Sequence, residues 1–475
     1  MQKESGALAA RQRWLAFAVL SLGTLMIVLD TTIVNVALPS IRADLGLDAA
    51  ALAWVVNAYL LTFGGFLLLS GRLGDLYGKR RLFLAGIVLF TLASLACGLA
   101  GSQAVLVAAR ALQGLGGAAV SAISLSLVMT MFPRPEERAR AMGFFGFIAA
   151  GGGSVGVLLG GVLTGTFDWH WIFLVNVPIG LAVIFFGRRL LPANQKARGP
   201  VHLDIAGAAS VTVALLLAVY AVINGNQAGW ASFQTIGLLA GSGLLLAAFI
   251  WLESRAKDPL MPLHLFRAPN VAATNAIGVL WAAAMFAWFF LSALYLQLVL
   301  GYTPLQVGLA FLPANVIMAV FSAWLSAKVV LRFGFRRPLA VGLLLAAVGL
   351  ALFSQAPVGG SFILHVLPGM VLLGIGAGLA FNPLLLAAMG GVRPEQSGLA
   401  SGVVNTAFMM GGALGLAILA SLASFQTSSL LENGAGQLLA LNEGYHIAFL
   451  AGAGFALLAA ILGAVLVRDT KTNRT

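Results

Sequence analysis

Two ionisable side chains of opposite charge lie deep inside long apolar stretches of this sequence. Asp30 lies in the apolar run that follows Trp14, and Arg110 lies in the run that begins near residue 104. Ionisable residues are costly in such segments and commonly mark proton or ion pathways. At the rise of an α-helix, each of the two residues lies roughly 10–12 Å from the predicted outer end of its segment. We therefore expect them to interact, either directly or through Gln113 and water.

A carboxyl group beside a guanidinium can take up and release a proton. Removal from water favours the neutral carboxyl group, whereas a nearby cation favours the carboxylate. Movement of Asp30 relative to Arg110 would therefore change its affinity for protons, and the sequence predicts a proton-coupling pair. The alternative is a permanent ion pair that connects two helices without titrating. Met285 and Met370 occupy the corresponding positions later in the chain, so the predicted proton site belongs to the first half.

The composition identifies the elements that must hold these residues. The chain has 475 residues, of which 60% are hydrophobic and only 9% are charged, whereas a soluble domain carries about 25% charged residues. This excludes a soluble enzyme and a disordered protein. The net charge of +12 is distributed over short segments between apolar runs, so no nucleic-acid partner is predicted. Cys97 is the single cysteine, which excludes an intramolecular disulfide and a thiolate metal cluster.

A membrane-spanning helix needs roughly 20 apolar residues, and the apolar runs predict an all-α polytopic membrane protein with fourteen such helices. The predicted spans are 14–38, 50–70, 82–101, 104–130, 140–165, 171–191, 204–222, 233–252, 271–298, 305–328, 338–354, 362–390, 397–424 and 446–467. All but two of the 27 Lys and Arg residues, Arg42 and Arg110, then fall in cytoplasmic segments if the N-terminus is cytoplasmic. This agrees with the positive-inside rule, so both termini are predicted to be cytoplasmic. Residues 425–445 are predicted to form the longest outer loop.

The sequence repeats itself across these spans. Residues 70–81, after span 2, align without a gap with residues 326–337, after span 10, and Ser70, Gly78, Arg80 and Arg81 are identical in both copies. The repeat maps spans 1–6 onto spans 9–14, a known plan for transporters. We therefore predict a first six-helix half over 1–191, a linker with inserted helices 7 and 8 over 192–270, and a second half over 271–475.

Two sets of residues could serve gating and substrate binding. Glycines four residues apart let helix backbones touch, so the glycines of span 5 are expected to form either a sliding contact between the halves or a static packing contact. The predicted gating residues are Arg72, Asp75, Arg80, Arg81, Gly156 and Gly160. Polar, aromatic and methionine side chains within spans suit a pocket for varied amphipathic ligands, although each could equally serve packing. The predicted substrate-binding residues are Met26, Asn35, Asn57, Tyr59, Gln113, Phe144, Trp281, Met285, Trp288, Asn315, Asn382 and Asn405.

Several motifs resemble those of a known family. Gly71-Arg-Leu-Gly-Asp75 with Gly78-Lys-Arg-Arg81 resembles the signature loop of the major facilitator superfamily. The segments Leu29–Pro39, Arg110–Gly114 and Trp169–Gly180 resemble motifs of its 14-span drug:proton antiporter branch. The chain departs from that branch at Val157, where proline is usual, and at His170, where arginine is common. The resemblance implies a major-facilitator-type fold, and it implies that Asp75 latches the cytoplasmic side in the outward-facing state. The alternative for Asp75 is a solvated turn residue.

The leading interpretation is a proton-coupled exporter of lipophilic or cationic small molecules, of the multidrug type, that works by alternating access. The alternatives are an exporter of an endogenous metabolite or lipid, and a non-transporting membrane receptor. The histidines are scattered without a His-Glu-x-x-His motif, and no phosphate-binding Gly-x-x-x-x-Gly-Lys-Ser/Thr loop occurs, so no catalytic residue, metal or cofactor is predicted. The expected partners are a small lipophilic substrate, protons and membrane lipid. The chain is expected to be a monomer in a bacterial cytoplasmic (inner) membrane.

Overall fold

The computed structural model describes residues 2–132, 134–192, 204–256, 259–389 and 397–469, and these residues form helices and short connections without any strand. Three π-helical turns, Tyr295–Val299, Phe321–Leu325 and Phe362–Val366, and a 3₁₀ turn, Leu263–Arg267, lie beside the α-helices. The α-helices are α1 (Gln2–Leu45), α2 (Ala49–Tyr77), α3 (Lys79–Gly98), α4 (Gln103–Met131), α5 (Pro135–Thr166), α6 (Trp171–Leu174), α7 (Asn176–Leu190), α8 (Ile205–Ala228), α9 (Phe233–Arg255), α10 (Pro269–Leu294), α11 (Pro304–Val320), α12 (Ser326–Phe333), α13 (Arg336–Phe353), α14 (Leu367–Met389), α15 (Ser397–Glu432) and α16 (Gln437–Leu466).

Twelve helical segments of the described chain are long and apolar enough to cross a membrane. Two further predicted spans coincide with shorter apolar helices, Val155–Thr166 within α5 and Pro304–Val320. Both belong to longer helical runs, because α5 begins at Pro135 and α11 continues through a π turn into α12. The polytopic all-α prediction is confirmed, and the count of fourteen spans stays a prediction.

Two predicted boundaries are wrong. Span 1 does not end before Pro39, because α1 continues to Leu45. The residues on both sides of this proline, Leu38 and Ile41, are fully buried, and this packing outweighs the one backbone hydrogen bond that a proline removes. The long outer loop predicted at 425–445 is also absent from this described region. There α15 extends to Glu432 and α16 begins at Gln437, so only residues 433–436 connect them.

Corresponding glycines of the sequence repeat make corresponding helix contacts. A Cβ at Gly114 of α4 would lie 2.4 Å from the Tyr59 carbonyl oxygen of α2, and one at Gly374 of α14 would lie 2.4 Å from the Ala314 carbonyl oxygen of α11. The matched loops also share a turn, since Gly78 and Gly334 both have positive φ, at 96° and 76°. These pairs support the repeat. The division at residues 191 and 270 stays a prediction.

Of the inserted helices, α8 packs against α2 and α15, and α9 packs against α8. At one close approach, a Cβ on Gly65 of α2 would lie 2.2 Å from the Thr212 hydroxyl of α8. Helix α8 therefore lies directly against α2, the helix that leads into the predicted gating loop.

The glycine contacts of α5 differ from the prediction. A Cβ at Gly156 would lie 3.0 Å from the Leu29 carbonyl oxygen, and one at Gly160 would lie 2.8 Å from the Ile33 carbonyl oxygen. Both glycines therefore face α1, and the expectation that they form a contact between the two predicted halves is wrong. That contact is made one position later, where a Cβ at Gly161 would lie 2.7 Å from the Pro304 carbonyl oxygen of α11. Because adjacent helical residues point in different directions, the spacing alone did not identify the face.

Candidate functional site: a buried ion pair among five helices

Asp30 and Arg110 form an ion pair in the interior of the bundle. One terminal nitrogen of Arg110 lies 2.5 Å from Asp30 Oδ2, and the two side chains are 0% and 1% exposed. α1 extends further past Asp30 than predicted, but the pair still meets because α1 and α4 pack side by side. Of the two arrangements that the sequence left open, the structure has the direct contact.

The second carboxylate oxygen of Asp30 is also occupied. Asp30 Oδ1 accepts hydrogen bonds from the side-chain amides of Gln113, at 2.6 Å, and Asn176, at 3.2 Å. The Ser94 hydroxyl accepts from both amides, at 3.2 and 3.1 Å, and donates to the Phe173 carbonyl oxygen at 2.9 Å. The carboxylate therefore has three donors from α4 and α7, and Ser94 of α3 orients two of them.

The guanidinium of Arg110 is held by further groups besides the carboxylate. Its Nε donates to the Val55 carbonyl oxygen of α2 at 3.0 Å, and a terminal nitrogen donates to Gln113 Oε1 at 2.7 Å. The ring of Tyr59 lies 4.4 Å from the guanidinium carbon, and that of Phe173 lies 5.7 Å from it. Cation–π contact of this kind is favourable in a dry environment. Five helices, α1, α2, α3, α4 and α7, thus share one buried polar cluster.

Reasoning from the sequence missed two members of this cluster, Ser94 and Asn176. A signal for Asn176 was present, because it is the amide side chain within the Trp169–Gly180 motif. Ser94 gives no such signal, since a serine in an apolar helix usually bonds to its own backbone. Gln113 and Tyr59, predicted as substrate-binding residues, belong to the ion-pair cluster instead.

The arrangement can hold a carboxylate in its ionised form without water. An ion pair in a dry interior is stable only when its remaining hydrogen-bonding atoms are satisfied, and here both oxygens of Asp30 have donors. Withdrawal of Arg110 would leave a carboxylate with two neutral amide donors, and a buried group in that position favours the neutral acid. The geometry therefore suits a switch between an ion-paired and a protonated carboxyl group.

The predicted gating residues lie around the turn between α2 and α3. Arg72 is partly buried at the end of α2, and Arg81 is exposed near the start of α3. Arg80 donates to the Arg188 carbonyl oxygen, which joins the start of α3 to the end of α7. The backbone of Asp75 belongs to α2, but its side chain lies outside the described part.

The turn between α12 and α13 corresponds to the turn between α2 and α3 in the repeat, and a carboxylate from a distant part of the chain binds to it. Leu331 stands where the first copy has Asp75, so the sequence offers no local acid. Instead, Asp469, just beyond α16, accepts the backbone N–H groups of Phe335 and Arg336 at 2.6 and 3.1 Å. This carboxylate also suits the start of α13, because helix N-termini attract negative charge.

The remaining predicted pocket residues fall into three groups. Some have a partner within the fold: Asn35 donates to the Thr31 carbonyl oxygen of its own helix at 3.2 Å, and Asn382 donates to the Ser322 carbonyl oxygen at 2.8 Å. That carbonyl lies in the π turn Phe321–Leu325, where the backbone pattern is irregular. Others are apolar: Met26 is fully buried, Met285 is packed against the core, and Phe144 is 52% exposed with its ring 6.2 Å from that of Trp14. Asn405 is partly buried on α15.

The third group has buried polar atoms without a hydrogen-bond partner in the described structure. The residues concerned are Asn57, Trp281, Trp288 and Asn315. Buried polar groups in proteins are nearly always paired with protein, water or ligand. These four side chains, and Tyr59 with its buried hydroxyl, are therefore the members of the predicted pocket that retain unused hydrogen-bonding capacity among the described residues.

A separate cavity of about 660 Å³ lies near the ends of α1, α10, α15 and α16 that are predicted to face outwards. Arg42 and Tyr445 line it together with leucines such as Leu294 and Leu441. Of the predicted substrate-binding residues, none is among its lining residues. The cavity is therefore distinct from the ion-pair cluster.

Comparison with known proteins identifies the family. The sequence profile of the Major Facilitator Superfamily matches residues 20–416. The chain belongs to this superfamily. Its predicted location in a bacterial cytoplasmic membrane is confirmed by the family and its bacterial relatives, and the chain is accordingly a membrane transporter rather than an enzyme.

Relatives match over most of their length. The puromycin resistance protein pur8 of Streptomyces alboniger is 37% identical over 474 residues, which cover 97% of this chain and 92% of the relative. The cephamycin export protein CmcT of Amycolatopsis lactamdurans is 40% identical, covering 93% and 90%. The multidrug resistance protein Stp of Mycobacterium tuberculosis is 40% identical, covering 89% and 78%.

Solved structures confirm the fold. A POT family peptide transporter in an auto-inhibited state matches with a TM-score of 0.67 at 18% identity, over 98% of this chain and 99% of that one. The xylose transporter XylE of E. coli, in a partially occluded inward-open conformation, matches with a TM-score of 0.64 at 16% identity, over 98% and 100%. The major-facilitator-type fold predicted from the motifs is thus confirmed.

Proposed function

We propose that this protein exports lipophilic or cationic small molecules across the cytoplasmic membrane and that proton entry drives the export. The observation that carries the proposal is the buried Asp30–Arg110 pair, whose carboxylate has three hydrogen-bond donors and whose counterparts in the repeat are the apolar Met285 and Met370. The relatives with export or resistance names support the direction of transport and the class of substrate.

In this mechanism the proton and the substrate occupy the protein alternately. Asp30 is ionised while it is paired with Arg110, and it takes a proton when the helices that carry the two residues separate. The available energy is adequate, since one charge that crosses 100 mV yields about 2.3 kcal/mol and each pH unit adds about 1.4 kcal/mol. With one buried carboxylate that is ion-paired among the described residues, the expected number of protons per transport cycle is low.

Alternating access requires the two predicted halves, 1–191 and 271–475, to move against each other. The contacts of α5 with α11 and of α2 with α15 supply the surfaces for this motion. We assign Arg72, Asp75, Arg80 and Arg81 to the cytoplasmic closure, which opens and closes as α2 tilts. The inserted helices over 192–270 accompany α2.

We propose that substrate binds between the halves and contacts Asn57, Trp281, Trp288 and Asn315, whose buried polar atoms have no partner among the described residues. Aromatic side chains provide large apolar surfaces, and a few amide groups orient a ligand without strict selection. We propose that the protein works as a monomer, since each chain holds both halves, and that the surrounding lipid supplies lipophilic substrates.

Inside-out membrane vesicles test the proposal. With an imposed proton gradient, wild-type vesicles should accumulate puromycin or a lipophilic cationic dye, and an uncoupler should abolish the accumulation. Asp30→Asn should retain downhill movement of the compound but lose accumulation against its gradient. Glu443→Gln, which alters an exposed carboxylate, is the matched control and should behave like the wild type. Accumulation by Asp30→Asn at the wild-type level would contradict proton coupling through Asp30.

Export of a metabolite made by the cell itself is the second candidate. It is favoured by relatives named for the export of cephamycin and for the transport of actinorhodin. A deletion strain that retains a compound which the parent strain secretes would favour this alternative. A compound that binds without any measurable flux would favour the receptor interpretation over both.

A further inference from the structure

Two carboxyl groups meet where the inserted helices α8 and α9 reach their predicted cytoplasmic ends. Asp204 caps the start of α8, where its Oδ1 accepts the Gly207 N–H at 2.7 Å. Glu253, near the end of α9, accepts the Met261 N–H with its Oε2 at 3.0 Å. Each carboxyl group therefore has one oxygen bound to the backbone.

The other two oxygens lie close to each other. Asp204 Oδ2 and Glu253 Oε1 are both buried and have no donor among the described residues. They lie beside the same glycine, since a Cβ on Gly207 would be 2.6 Å from Asp204 Oδ2 and 2.9 Å from Glu253 Oε1. The two carboxyl groups are therefore close neighbours, because both oxygens lie within 3 Å of this one position. A glycine at 207 is thus required for this approach.

Among the described residues, the surroundings of Glu253 are largely apolar. Glu253 is 3% exposed, and the adjoining face of α2 contributes Leu69 to an apolar cluster with Ala208 and Leu260. On α9 itself, the guanidinium of Arg255 lies 4.8 Å from the Trp251 ring. From α8, the charged side chain that faces Glu253 is Asp204.

Two carboxylates this close in a dry site repel strongly, and such pairs hold one proton between them. A carboxylate oxygen can only accept a hydrogen bond, so contact between two of them requires that one group be protonated. We propose that Asp204 and Glu253 together bind a single proton, which makes this a second proton-binding site, separate from Asp30 and independent of the proposed export function.

The shared proton would fasten the cytoplasmic end of the inserted helices to α2. With the proton bound, Glu253 holds the backbone at Met261, and the adjacent Leu260 packs against Leu69 of α2. Loss of the proton would leave two repelling carboxylates and would weaken this contact. Because α2 leads into the turn with Arg72, the site is placed to influence the cytoplasmic closure.

Infrared difference spectroscopy of the purified full chain in nanodiscs tests the proposal. The C=O stretching band of a protonated carboxyl group should be present at neutral pH in the Asp30→Asn background, which removes any contribution of that residue. Glu253→Gln and Asp204→Asn should each abolish it, and Glu443→Gln should leave it unchanged. Absence of the band in the Asp30→Asn background, or its persistence in both amide variants, would overturn the proposal.

Residues 257 and 258 lie outside the described part, so Lys257 enters the test as a variant. Lys257→Met should retain the band. If the band instead appears only in Lys257→Met, the lysine neutralises the pair and the proposal is wrong.

The melting temperature, measured as a function of pH, provides a second test that uses the wild-type protein and needs no assignment of a spectral band. The melting temperature of the wild type should fall as the pH rises from the acidic range to the range in which the shared proton dissociates, because in that interval the folded protein holds a proton that the unfolded chain has already lost. Glu253→Gln should flatten this part of the profile, because its amide donates to Asp204 at every pH. A melting temperature that follows the concentration of Na⁺ or Mg²⁺ and not the pH would identify a cation site and refute the shared proton.

Discussion

Removal of Arg110 should destabilise the protein mainly through the carboxylate that it leaves behind. Arg110→Met leaves Asp30, which is fully buried, with two amide donors and no cation. Loss of one partner of a buried ion pair costs about 3–5 kcal/mol. Replacement of both partners by neutral groups is far less costly, because no charge remains unpaired. Asp30→Asn/Arg110→Met should therefore be more stable than Arg110→Met alone.

A double-mutant cycle measures this effect. The free energy of unfolding is followed by denaturant titration in mixed detergent micelles at neutral pH for the wild type, both single variants and the double variant. The coupling energy should exceed 1 kcal/mol, since residues in direct contact within one network couple by about 0.5–3 kcal/mol. Equal stability of Arg110→Met and the double variant would refute the ion pair as the organising contact of the cluster.

Two further substitutions test the packing. Gly161→Ala should slow transport in the vesicle assay without preventing folding, because its Cβ would lie 2.7 Å from the Pro304 carbonyl oxygen. Gly165→Ala is the control and should transport at the wild-type rate, because the nearest atom to its Cβ would be 3.9 Å away. Asn382→Ala should lower the free energy of unfolding by about 1–2 kcal/mol, because the Ser322 carbonyl oxygen in the π turn loses its donor; an unchanged denaturation midpoint would contradict this role.

The sequence alone was sufficient for the membrane class and for the proximity of Asp30 and Arg110. Their predictability has a physical basis, since burial of charge in apolar helices is costly enough to be visible in the pattern. The neutral members of the polar cluster are harder to identify from the sequence. Ser94 and Asn176 are neutral, and neutral polar residues in helices often bond only to their own helix.

The remaining errors concern features that tertiary packing determines, such as where a helix ends and which neighbour a helix face contacts. Pro39 did not end α1, because the buried residues around it hold the helix together. Gly156 faces α1 and not α11, since the glycine pattern does not show which neighbour a helix face meets. Glu253 escaped notice because it lies one residue beyond the predicted end of its span. Its burial depends on the return of the chain at Met261, a contact that helical periodicity does not report.

Proton release on substrate binding tests the central claim most directly. Purified protein in a weakly buffered, mildly acidic solution is mixed with a transported compound while a pH indicator is followed. The wild type should release protons, up to about one per chain, because substrate binding favours the conformation in which Asp30 is paired with Arg110. Asp30→Asn should bind the compound without release. Equal release by Asp30→Asn and the wild type would show that the coupling proton resides elsewhere.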